Sequence, residues 1–586
     1  MLPFLNSPKL PFVVVSILIN LLLTFDLKGQ VATFLSPDTV CVGNQVYITN
    51  QSTPGQTYYW SFCSGNSLSN PLGSNIGNPG NLLNVPSYIT LVKDGNICYS
   101  FVSSRESLSV VRYNHGTSFS NNPISWTNLV GFGMTNYILG IKICKDNGQW
   151  IGFVCNNNSI VRLNFGSSPG NSPAGITLGP YSTLNSAHCI DIINEGGIWV
   201  GYLTCQVGNN LVRLNFGNSL LNTPILTDLG TVNGTLNMPT SYRIINEKGI
   251  WYALVANDGN NTLTRLTFGT SLFNDPAGVN LGPAIQSTTL GGITLIRDCE
   301  GTTGFQLNYS ASSPDLIWRL NFPSGITGPV TGTSLGNIGN MNRPAHFSEL
   351  FRVGDTLFLY TSNRGNNTLT RLRFLPCTNA SVPSSSLYNP PPFSYSQPGT
   401  YNIQLIVNEG MPNQASLCKS IVVMPKITVS LGNDTIVCEG SPIRLQTGVS
   451  AARYRWQDGS TDSIYTVFAP GTFWVTVTKE GCDASDSIRI TDCVLPLWFP
   501  NAFTPNDDGV NDIFHPVGRG VLSYEILIFD RWGRKVFEST EIEPGWDGRM
   551  QGNMCSDGVY VFIATYNMGE SSGETYHAKG SITLLR

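Results

Sequence analysis

The segment Leu211-Val-Arg-Leu-Asn-Phe-Gly217 occurs six times, with small changes, in the middle of the chain. The copies are centred on Arg112, Arg162, Arg213, Arg265, Arg319 and Arg371. Successive arginines are 50, 51, 52, 54 and 52 residues apart, and each repeat contains four runs with the pattern of short strands. Four short strands in about 50 residues are typical of one blade of a β-propeller. The repeat therefore predicts a propeller over residues 67–374.

The ends of the repeat region indicate the number of blades. No fourth strand follows the sixth copy at Arg371, whereas Pro71-Leu-Gly-Ser-Asn-Ile-Gly-Asn78 precedes the first copy. That segment nearly repeats Ser334-Leu-Gly-Asn-Ile-Gly-Asn340, the fourth strand of the fifth copy. A strand from the N-terminal side would complete the last blade and bring the two ends of the region together. We therefore predict six blades.

The composition supports an all-β protein with several domains. The chain has 586 residues, only 12% of them charged, with 60 glycines and 35 prolines, which suits short strands and tight turns. A net charge of −4 gives no basic field for nucleic acid. The apolar run Pro11–Phe25 is typical of a signal peptide, predicted at residues 1–29, and the alternative is an uncleaved anchor. No other run is long enough to span a membrane after cleavage.

Two further segments have the alternating pattern of sandwich strands. Tyr59-Trp-Ser-Phe62 and the later Pro398-Gly-Thr-Tyr401 resemble the two halves of a PKD-type, immunoglobulin-like sandwich. The resemblance implies a sandwich of residues 30–66 and 375–425 with the propeller inserted into one of its loops, which an exposed loop tolerates. Residues 426–493, with Tyr454-Arg-Trp456, resemble the Ig-like repeats of exported Bacteroidetes proteins.

An even number of cysteines, 14, in an exported chain favours disulfides over metal ligation. Cys63 and Cys377 flank the inserted region, and Cys41 and Cys418 lie in the first and last strands of the sandwich. We predict the bridges Cys63–Cys377 and Cys41–Cys418. Cys438–Cys482 is predicted in the Ig-like domain. Cys189 and Cys205 are further disulfide candidates.

The last domain, residues 494–586, carries an ordered series of short motifs. Their diagnostic residues are Phe499, Pro500, Asn501, Phe503, Thr504, Pro505, Arg531, Trp532, Gly533, Trp546, Asp547 and Gly548. The series resembles the gliding-motility-associated C-terminal domain, the type B sorting domain of the type IX secretion system in Bacteroidetes. The resemblance implies export through the periplasm and outer membrane, contact with the secretion machinery, and a location outside the cell or at the outer-membrane surface.

A loop within this domain has the composition of a calcium site. Its oxygen-bearing residues are Asn506, Asp507, Asp508, Asn511 and Asp512, arranged around a glycine. The alternative is a turn whose side chains accept hydrogen bonds from its own backbone. Calcium is the one cofactor that the sequence suggests.

Catalytic motifs are scarce. The carboxylates at the first-to-second strand turns, Asp146, Glu195, Glu247 and Asp355, are explained by turn chemistry, and the repeated arginines by hydrogen bonds between blades. Trp150, Trp199 and Trp251 keep the phase of the repeat and are predicted in blade cores. We expect a binding or adhesion platform for a glycan or protein, presented by loops at 207–210, 257–261 and 363–368. The alternative is a polysaccharide lyase or glycoside hydrolase, favoured if unrepeated His, Asp, Glu or Tyr residues meet at one mouth of the channel.

Overall fold

The computed structural model describes residues 30–586 except 65–67, 69, 136, 288, 300, 410–413, 438–440, 493–494 and 569–574. The predicted signal peptide therefore lies outside the described residues. The described residues form 47 strands and a short 3-10 segment, Pro79–Asn81. The predicted all-β class is confirmed. The chain divides after Met424 into two compact units.

The first unit opens with four short strands. They are β1 (Phe34–Leu35), β2 (Thr39–Cys41), β3 (Thr49–Asn50) and β4 (Tyr58–Ser61). The next strand, β5 (Leu72–Gly77), leads into the repeat region.

The repeats form antiparallel sheets of four strands. Sheet 1 contains β6 (Pro86–Asp94), β7 (Ile97–Ser104), β8 (Ser109–Asn114) and β9 (Ser125–Val130); sheet 2 contains β10 (Ile138–Asp146), β11 (Gln149–Asn156), β12 (Ser159–Gly166) and β13 (Ala174–Leu178); sheet 3 contains β14 (Ala187–Glu195), β15 (Ile198–Cys205), β16 (Asn210–Gly217) and β17 (Ile225–Asp228). Sheet 4 contains β18 (Pro239–Glu247), β19 (Ile250–Asn257), β20 (Thr262–Gly269) and β21 (Ala277–Gly282); sheet 5 contains β22 (Leu290–Asp298), β23 (Gly301–Asn308), β24 (Ile317–Asn321) and β25 (Thr331–Gly336). Sheet 6 contains β26 (Pro344–Phe347), β27 (Phe351–Val353), β28 (Thr356–Asn363), β29 (Thr368–Phe374) and, as its outer strand, β5.

These sheets form a closed, propeller-like ring. The first strand of each sheet contacts the first strand of the next, and β26 of sheet 6 contacts β6 of sheet 1. Strand β5 pairs antiparallel with β29, with Ser74 opposite Arg371, so the strand predicted from the N-terminal side does complete sheet 6. Apolar residues on both faces of each sheet are buried against the neighbouring sheets, which forms the core.

A separate sheet draws its strands from both sides of the repeat region. After the repeats come β30 (Ser384–Ser385), β31 (Gly399–Val407) and β32 (Ala415–Met424), and the strand order is β2–β32–β31–β4–β30. The chain thus leaves this sheet after Ser61 and re-enters it at Ser384. Trp60, buried together with Phe62 and Phe393, is at the centre of its apolar core.

Disulfides connect the repeat region to this sheet. The predicted Cys63–Cys377 bridge is present, but the predicted Cys41–Cys418 bridge is wrong, because Cys418 pairs with Cys299 between β22 and β23. In the parallel register of β2 and β32, Cys41 lies opposite Met424, six residues beyond Cys418. At roughly 3.3 Å per residue that offset is far beyond the span of a disulfide. Cys41 is disulfide-bonded, but not to Cys418.

The other cysteine predictions fare differently. Cys189 and Cys205 are buried free thiols, so their assignment as disulfide candidates is wrong. In the β14–β15 ladder Cys189 faces Thr204 and Cys205 faces Ala187, so the two thiols are not opposite each other. Cys482 is disulfide-bonded, whereas its predicted partner Cys438 lies outside the described residues.

The second unit contains two groups of sheets. The first group has β33 (Thr435–Val437), β34 (Ile443–Gln446), β35 (Arg453–Trp456), β36 (Ile464–Val467), β37 (Gly471–Lys479) and β38 (Cys482–Asp492), in the orders β33–β38–β37–β35 and β34–β36. The second has β39 (Leu495–Trp498), β40 (Ala502–Phe503), β41 (Val517–Arg519), β42 (Val521–Phe529), β43 (Lys535–Ser539), β44 (Arg549–Met550), β45 (Asn553–Met554), β46 (Gly558–Met568) and β47 (Thr575–Leu584). Its main sheet has the order β40–β47–β46–β42–β43. In the part of the chain that the structure describes, no helix is long and apolar enough to cross a membrane.

Candidate ligand site in the central channel

The repeated arginines hold neighbouring sheets together. All six lie on the third strand of their sheet, and five of them, Arg112, Arg162, Arg213, Arg265 and Arg371, donate hydrogen bonds to backbone carbonyls in the third-to-fourth strand loop of the next sheet. Arg162, for example, bonds to the carbonyl oxygens of Leu220, Leu221 and Asn222 at 3.2, 2.6 and 2.9 Å. Arg371 of sheet 6 bonds in the same way to residues 119–121 of sheet 1, which closes the ring. The predicted structural role of these arginines is confirmed.

The same loops are held from a second side by carboxylates. Asp146 accepts hydrogen bonds from the Leu220 amide and the Ser219 hydroxyl of the next sheet, both at 2.9 Å. Glu195 and Glu247 bind the equivalent loops of sheets 4 and 5. These carboxylates therefore act between sheets, which differs from the predicted role in their own turns. Asp355 instead accepts a hydrogen bond from Ser384, in the sheet outside the ring.

Arg319 is the exception among the six arginines. The next sheet, sheet 6, receives its fourth strand from β5, so the loop that would accept hydrogen bonds from Arg319 is missing. The buried Nε of Arg319 has no hydrogen-bond partner among the described residues.

The first strands enclose a channel, and one position on them faces its axis. This position is in register, through the second strand, with the repeated arginine: Arg213 is opposite Tyr202, and Tyr202 is opposite Asp191. The equivalent residues around the ring are Thr90, Lys142, Asp191, Arg243, Thr294 and Ser348. Unlike the arginines, they differ from sheet to sheet.

Four charged side chains meet there in an ionic cluster of Lys142, Asp191, Arg243 and Glu349. The Nζ atom of Lys142 lies 3.1 Å from Asp191 and 3.4 Å from Glu349, and Arg243 lies 3.4 Å from Asp191. Sheets 2 and 6 are not neighbours, so the contact between Lys142 and Glu349 crosses the channel. The cluster therefore fills the middle of the channel.

The cluster holds Asp191 in the charged form. Burial raises the pKa of Asp191, but the positive charges of Lys142 and Arg243 outweigh burial and lower this pKa below its ordinary value. Burial lowers the pKa of Lys142, but Asp191 and Glu349 more than compensate and raise it. Both partners thus stay ionised around neutral pH, and Asp191 is not a proton donor there.

A second group, the mouth cluster of Tyr88, His188, His346 and Arg364, lies near the channel end at which the first strands begin. We call this end the mouth. The Tyr88 hydroxyl lies 2.6 Å from Nδ1 of His188 in sheet 3 and donates to the carbonyl of Thr240 in sheet 4. The ring of Tyr88 stacks on His346 of sheet 6 with centroids 3.6 Å apart. Tyr88 therefore reaches across the channel.

The imidazoles of this cluster are neutral at physiological pH. Burial, together with the positive charge of Arg364, lowers the pKa of His188 to about 3. Burial, His188 and Arg364 hold the pKa of His346 well below its ordinary value. The Nδ1 atom of His346 is buried and has no hydrogen-bond partner among the described residues.

The predicted aromatic and loop residues have mainly structural contacts. Trp150 is buried, while Trp199 is half-buried and donates to Asp146 at 3.0 Å. In two of the predicted loops an asparagine side chain accepts a hydrogen bond from the backbone amide just before the first strand of the next sheet. Asn209 accepts from Met238, and Asn367 accepts from Val85. The mouth and ionic clusters were missed from the sequence. A signal was available for the ionic cluster, because Lys142, Asp191 and Arg243 interrupt otherwise apolar first strands 20 or 22 residues before the repeated arginine.

A small cleft also lies between sheets 5 and 6 and the sheet outside the ring. Arg352 lines it, with its guanidinium 3.9 Å from the Tyr59 ring centroid and 3.2 Å from Glu409. Asp355, which also lines the cleft, accepts a hydrogen bond from Ser384. Two of its charged groups thus already have partners in the protein, and we treat the cleft as a seam between the sheets.

The sorting motifs of the last domain are brought together by its main sheet. Trp546 is fully buried beside Phe503, and Phe499 stacks on Phe562. Other motif residues lie in turns and at sheet edges: Gly533 and Gly548 have positive φ, and the Asp547 carboxylate accepts a hydrogen bond from the Arg549 amide. The Asn501 carbonyl accepts from the Thr583 amide, and the Thr504 amide donates to the Asn511 carbonyl. Pro500 is half-buried, and Pro505 packs beside Gly548. Trp532 is 81% exposed, with the Arg531 guanidinium 5.3 Å from its ring centroid.

The predicted calcium loop accepts hydrogen bonds from its own backbone. Asp512 accepts from the amides of Asn506, Asp507 and Gly509 at 2.7 to 2.9 Å, and Asp508 accepts from Val510. These hydrogen bonds are those of the alternative, a turn whose side chains accept from its own backbone. No group of three or more His, Cys, Asp or Glu among the described residues is arranged to hold a metal. Calcium binding, which also involves Asn511, stays a prediction for calorimetric titration.

Comparison with known proteins assigns one domain. Residues 497–584 match the family described as CHU_C Type IX secretion signal domain. This domain implies export to the cell surface or beyond and interaction with the type IX secretion machinery. No curated protein is similar to the chain in sequence.

Several solved structures have a similar backbone course. One is a mutant of AofleA from Arthrobotrys oligospora, with 9% identity, a TM-score of 0.38, and 61% of this chain and 94% of that chain covered. Another is the GH62 alpha-L-arabinofuranosidase catalytic domain of Coprinopsis cinerea, with 13% identity, a TM-score of 0.33, and 52% and 97% covered. A third is an exo-beta-1,3-galactanase from Phanerochaete chrysosporium, with 9% identity, a TM-score of 0.31, and 80% and 92% covered. Similarity of this extent says nothing about ligand or activity.

Proposed function

We propose that the chain is an exported Bacteroidetes protein whose propeller binds a glycan at the channel mouth. In this proposal a signal peptide (1–29) is followed by a PKD-like sandwich (30–66 and 375–425) that holds a six-bladed propeller (67–374). An Ig-like domain (426–493) and the sorting domain (494–586) complete the chain. The sorting domain directs secretion.

One observation carries the binding function. Two buried atoms at the mouth, Nδ1 of His346 and Nε of Arg364, have no hydrogen-bond partner among the described residues. Buried polar groups in proteins are normally hydrogen-bonded, so unpartnered ones in a concave site indicate a ligand. The repeat supplies no scaffold reason for these residues.

The second candidate is a lyase or hydrolase acting at the same mouth. The close contact between Tyr88 and His188 favours it, because unrepeated groups of this kind can transfer protons. Against it, a glycosidase acid needs a carboxyl with a raised pKa. Burial does raise the pKa of Asp258, which lies in the turn between the second and third strands of sheet 4. Its carboxylate, however, accepts a hydrogen bond from the Leu290 amide at the start of sheet 5. Asp191 is held ionised. We therefore expect no catalytic role.

The test uses the secreted full-length chain on a glycan array, together with an assay for newly released reducing ends. Binding without release is expected. Tyr88→Phe, which removes the hydroxyl that joins sheets 1, 3 and 4, should weaken binding. Tyr113→Phe, which removes a buried hydroxyl of β8 bonded to Pro79, is the matched control and should leave binding unchanged. Release of reducing ends that disappears in the Tyr88 variant would instead establish the enzyme.

A further inference from the structure

Six side chains ring the mouth at equivalent positions, each directly after the second strand of its sheet. They are Arg105, Asn157, Gln206, Asp258, Tyr309 and Arg364. All six are half-buried. The ring is polarised, because the two arginines stand in the adjacent sheets 6 and 1, whereas its one acidic residue stands in sheet 4. The mouth thus presents positive charge on one side.

Arg364 is a half-buried cation that no carboxylate of the described residues neutralises. Its Nη2 donates to the Ser87 hydroxyl at 2.9 Å, and its guanidinium lies 5.7 Å from the Tyr309 ring centroid. Its Nε has no partner, and no acidic side chain of the described residues forms an ion pair with it. Burial lowers the pKa of Arg364, which reflects the cost of holding this charge away from water.

The cations in the middle of the channel, unlike Arg364, have carboxylate partners. Lys142 and Arg243 contact Asp191, and Lys142 also contacts Glu349, so the positive charges in the middle of the channel are compensated. The charge of Arg364 is instead surrounded by neutral groups, the imidazoles of His188 and His346 and the phenol of Tyr88. A partly buried cation held in place without a counterion is matched by an anion from outside the chain.

Arg105 extends this charge toward solvent. Its guanidinium lies 5.1 Å from the Tyr137 ring centroid, and its one ion pair among the described residues is with the adjacent, exposed Glu106. It is close enough to Arg364 to contribute to lowering its pKa. Two guanidinium groups with nearby tyrosine rings offer the planar donors that suit oxyanions and flat faces that suit sugar rings.

We propose that the mouth binds the carboxylate or sulfate group of an acidic saccharide, through Arg364 with Arg105 beside it. This proposal rests on the proposed binding function and names its ligand class. Neighbouring sugar units of the saccharide contact the ring of six residues at the mouth, and the oxyanion lies on its positively charged side.

The experiment compares matched charged and neutral saccharides by calorimetry with the full chain. The pairs are oligogalacturonate with its fully methyl-esterified form, and dextran sulfate with dextran, so that carboxylate and sulfate ligands are distinguished. One charged member is expected to bind, its neutral counterpart is not, and affinity should fall as salt rises. Galacturonate monomer, tested alongside, should bind more weakly than the oligomer because it lacks the contacts of neighbouring sugar units with this ring of residues.

Arg364→Gln is expected to weaken binding of the charged saccharide roughly 10- to 100-fold, the usual effect of losing a hydrogen bond to a charged group. Arg105→Gln should weaken binding less and serves as the second variant if Arg364→Gln does not fold. Lys93→Gln removes the same charge from an exposed site near the opposite end of β6 and should change affinity by less than twofold.

The outcomes separate the two proposals. Equal binding of the charged and neutral members of both pairs, or unchanged affinity in both arginine variants, overturns the acidic ligand and leaves glycan binding intact. Binding of neutral glycans on the array with neither charged probe bound has the same meaning. The absence of binding to any array glycan overturns the proposed function itself.

Discussion

Two positions in the same sheets behave in opposite ways. The third-strand position is arginine in all six repeats, whereas the first-strand position in register with it holds Thr90, Lys142, Asp191, Arg243, Thr294 or Ser348. The third-strand arginine, the outer position, donates hydrogen bonds to the backbone of the next sheet. That backbone is alike in nearly every repeat, so the same side chain fits each time. The first-strand residues, the inner position, all face the same channel axis and therefore contact one another.

The shared axis explains why the inner position cannot repeat. Six identical charges around one channel would repel each other in a medium of low dielectric constant. Opposite charges in neighbouring sheets avoid this, as Lys142, Asp191 and Arg243 show. Repetition therefore identifies the scaffold, and departures from it identify the part of the molecule available for a specific ligand.

The largest expected effect comes from breaking the inner position. Asp191→Asn leaves Lys142 and Arg243 buried with Glu349 as their only acidic neighbour, which should lower the free energy of unfolding of the propeller by about 3–5 kcal/mol. Chemical denaturation of the full chain measures this loss. Asp275→Asn is the control: Asp275 contacts Arg213 at 3.0 Å but is 76% exposed, so a loss below about 1 kcal/mol is expected. Equal losses in the two variants would contradict the special status of the channel.

A smaller effect tests the outer position. Arg162→Gln removes hydrogen bonds to three backbone carbonyls of the next sheet and should cost about 1.5–3 kcal/mol of unfolding free energy. Arg319→Gln is the natural comparison, because the receiving loop is missing beside sheet 6, and its cost should stay below about 1 kcal/mol. Thermal and chemical unfolding of both variants would decide the matter. If Arg319→Gln were the more damaging, the inter-sheet role of the repeat would be wrong.

The smallest effect is expected from a substitution that restores the repeat residue at a position where the chain departs from it. His115 replaces the repeat phenylalanine, and burial lowers its pKa to about 4. An unfolded histidine takes up a proton near pH 6.5, whereas the folded one does so only near pH 4, so stability is lost as pH falls between these values. His115→Phe should reduce the loss measured between about pH 7.5 and pH 5.5 by roughly 1 kcal/mol. An unchanged pH dependence of unfolding would show that His115 is not responsible.

The sequence predicted features that rest on local or repeated patterns. The role of the repeated arginines, the strand β5 in sheet 6 and the Cys63–Cys377 bridge all follow from comparing copies or from flanking positions in the chain. The Cys299–Cys418 bridge did not follow, because Cys299 lies in a turn of sheet 5, 119 residues before Cys418 in the sheet outside the ring. The contact between Tyr88 and His188 was also missed, since neither residue belongs to a motif.

Within this chain, periodicity and turn residues were enough to define the strands and the ring, because every repeat buries the same faces against the same kind of neighbour. The position of the first strands around one axis is a different kind of information. Lys142 and Glu349 are separated by 207 residues, and their contact exists only because the ring closes. Arg364 likewise becomes a cation without a counterion only through the folding of sheets 1 and 6 against each other. Charge compensation is a property of distances in space, so the scaffold could be predicted from the sequence while the candidate ligand site could not.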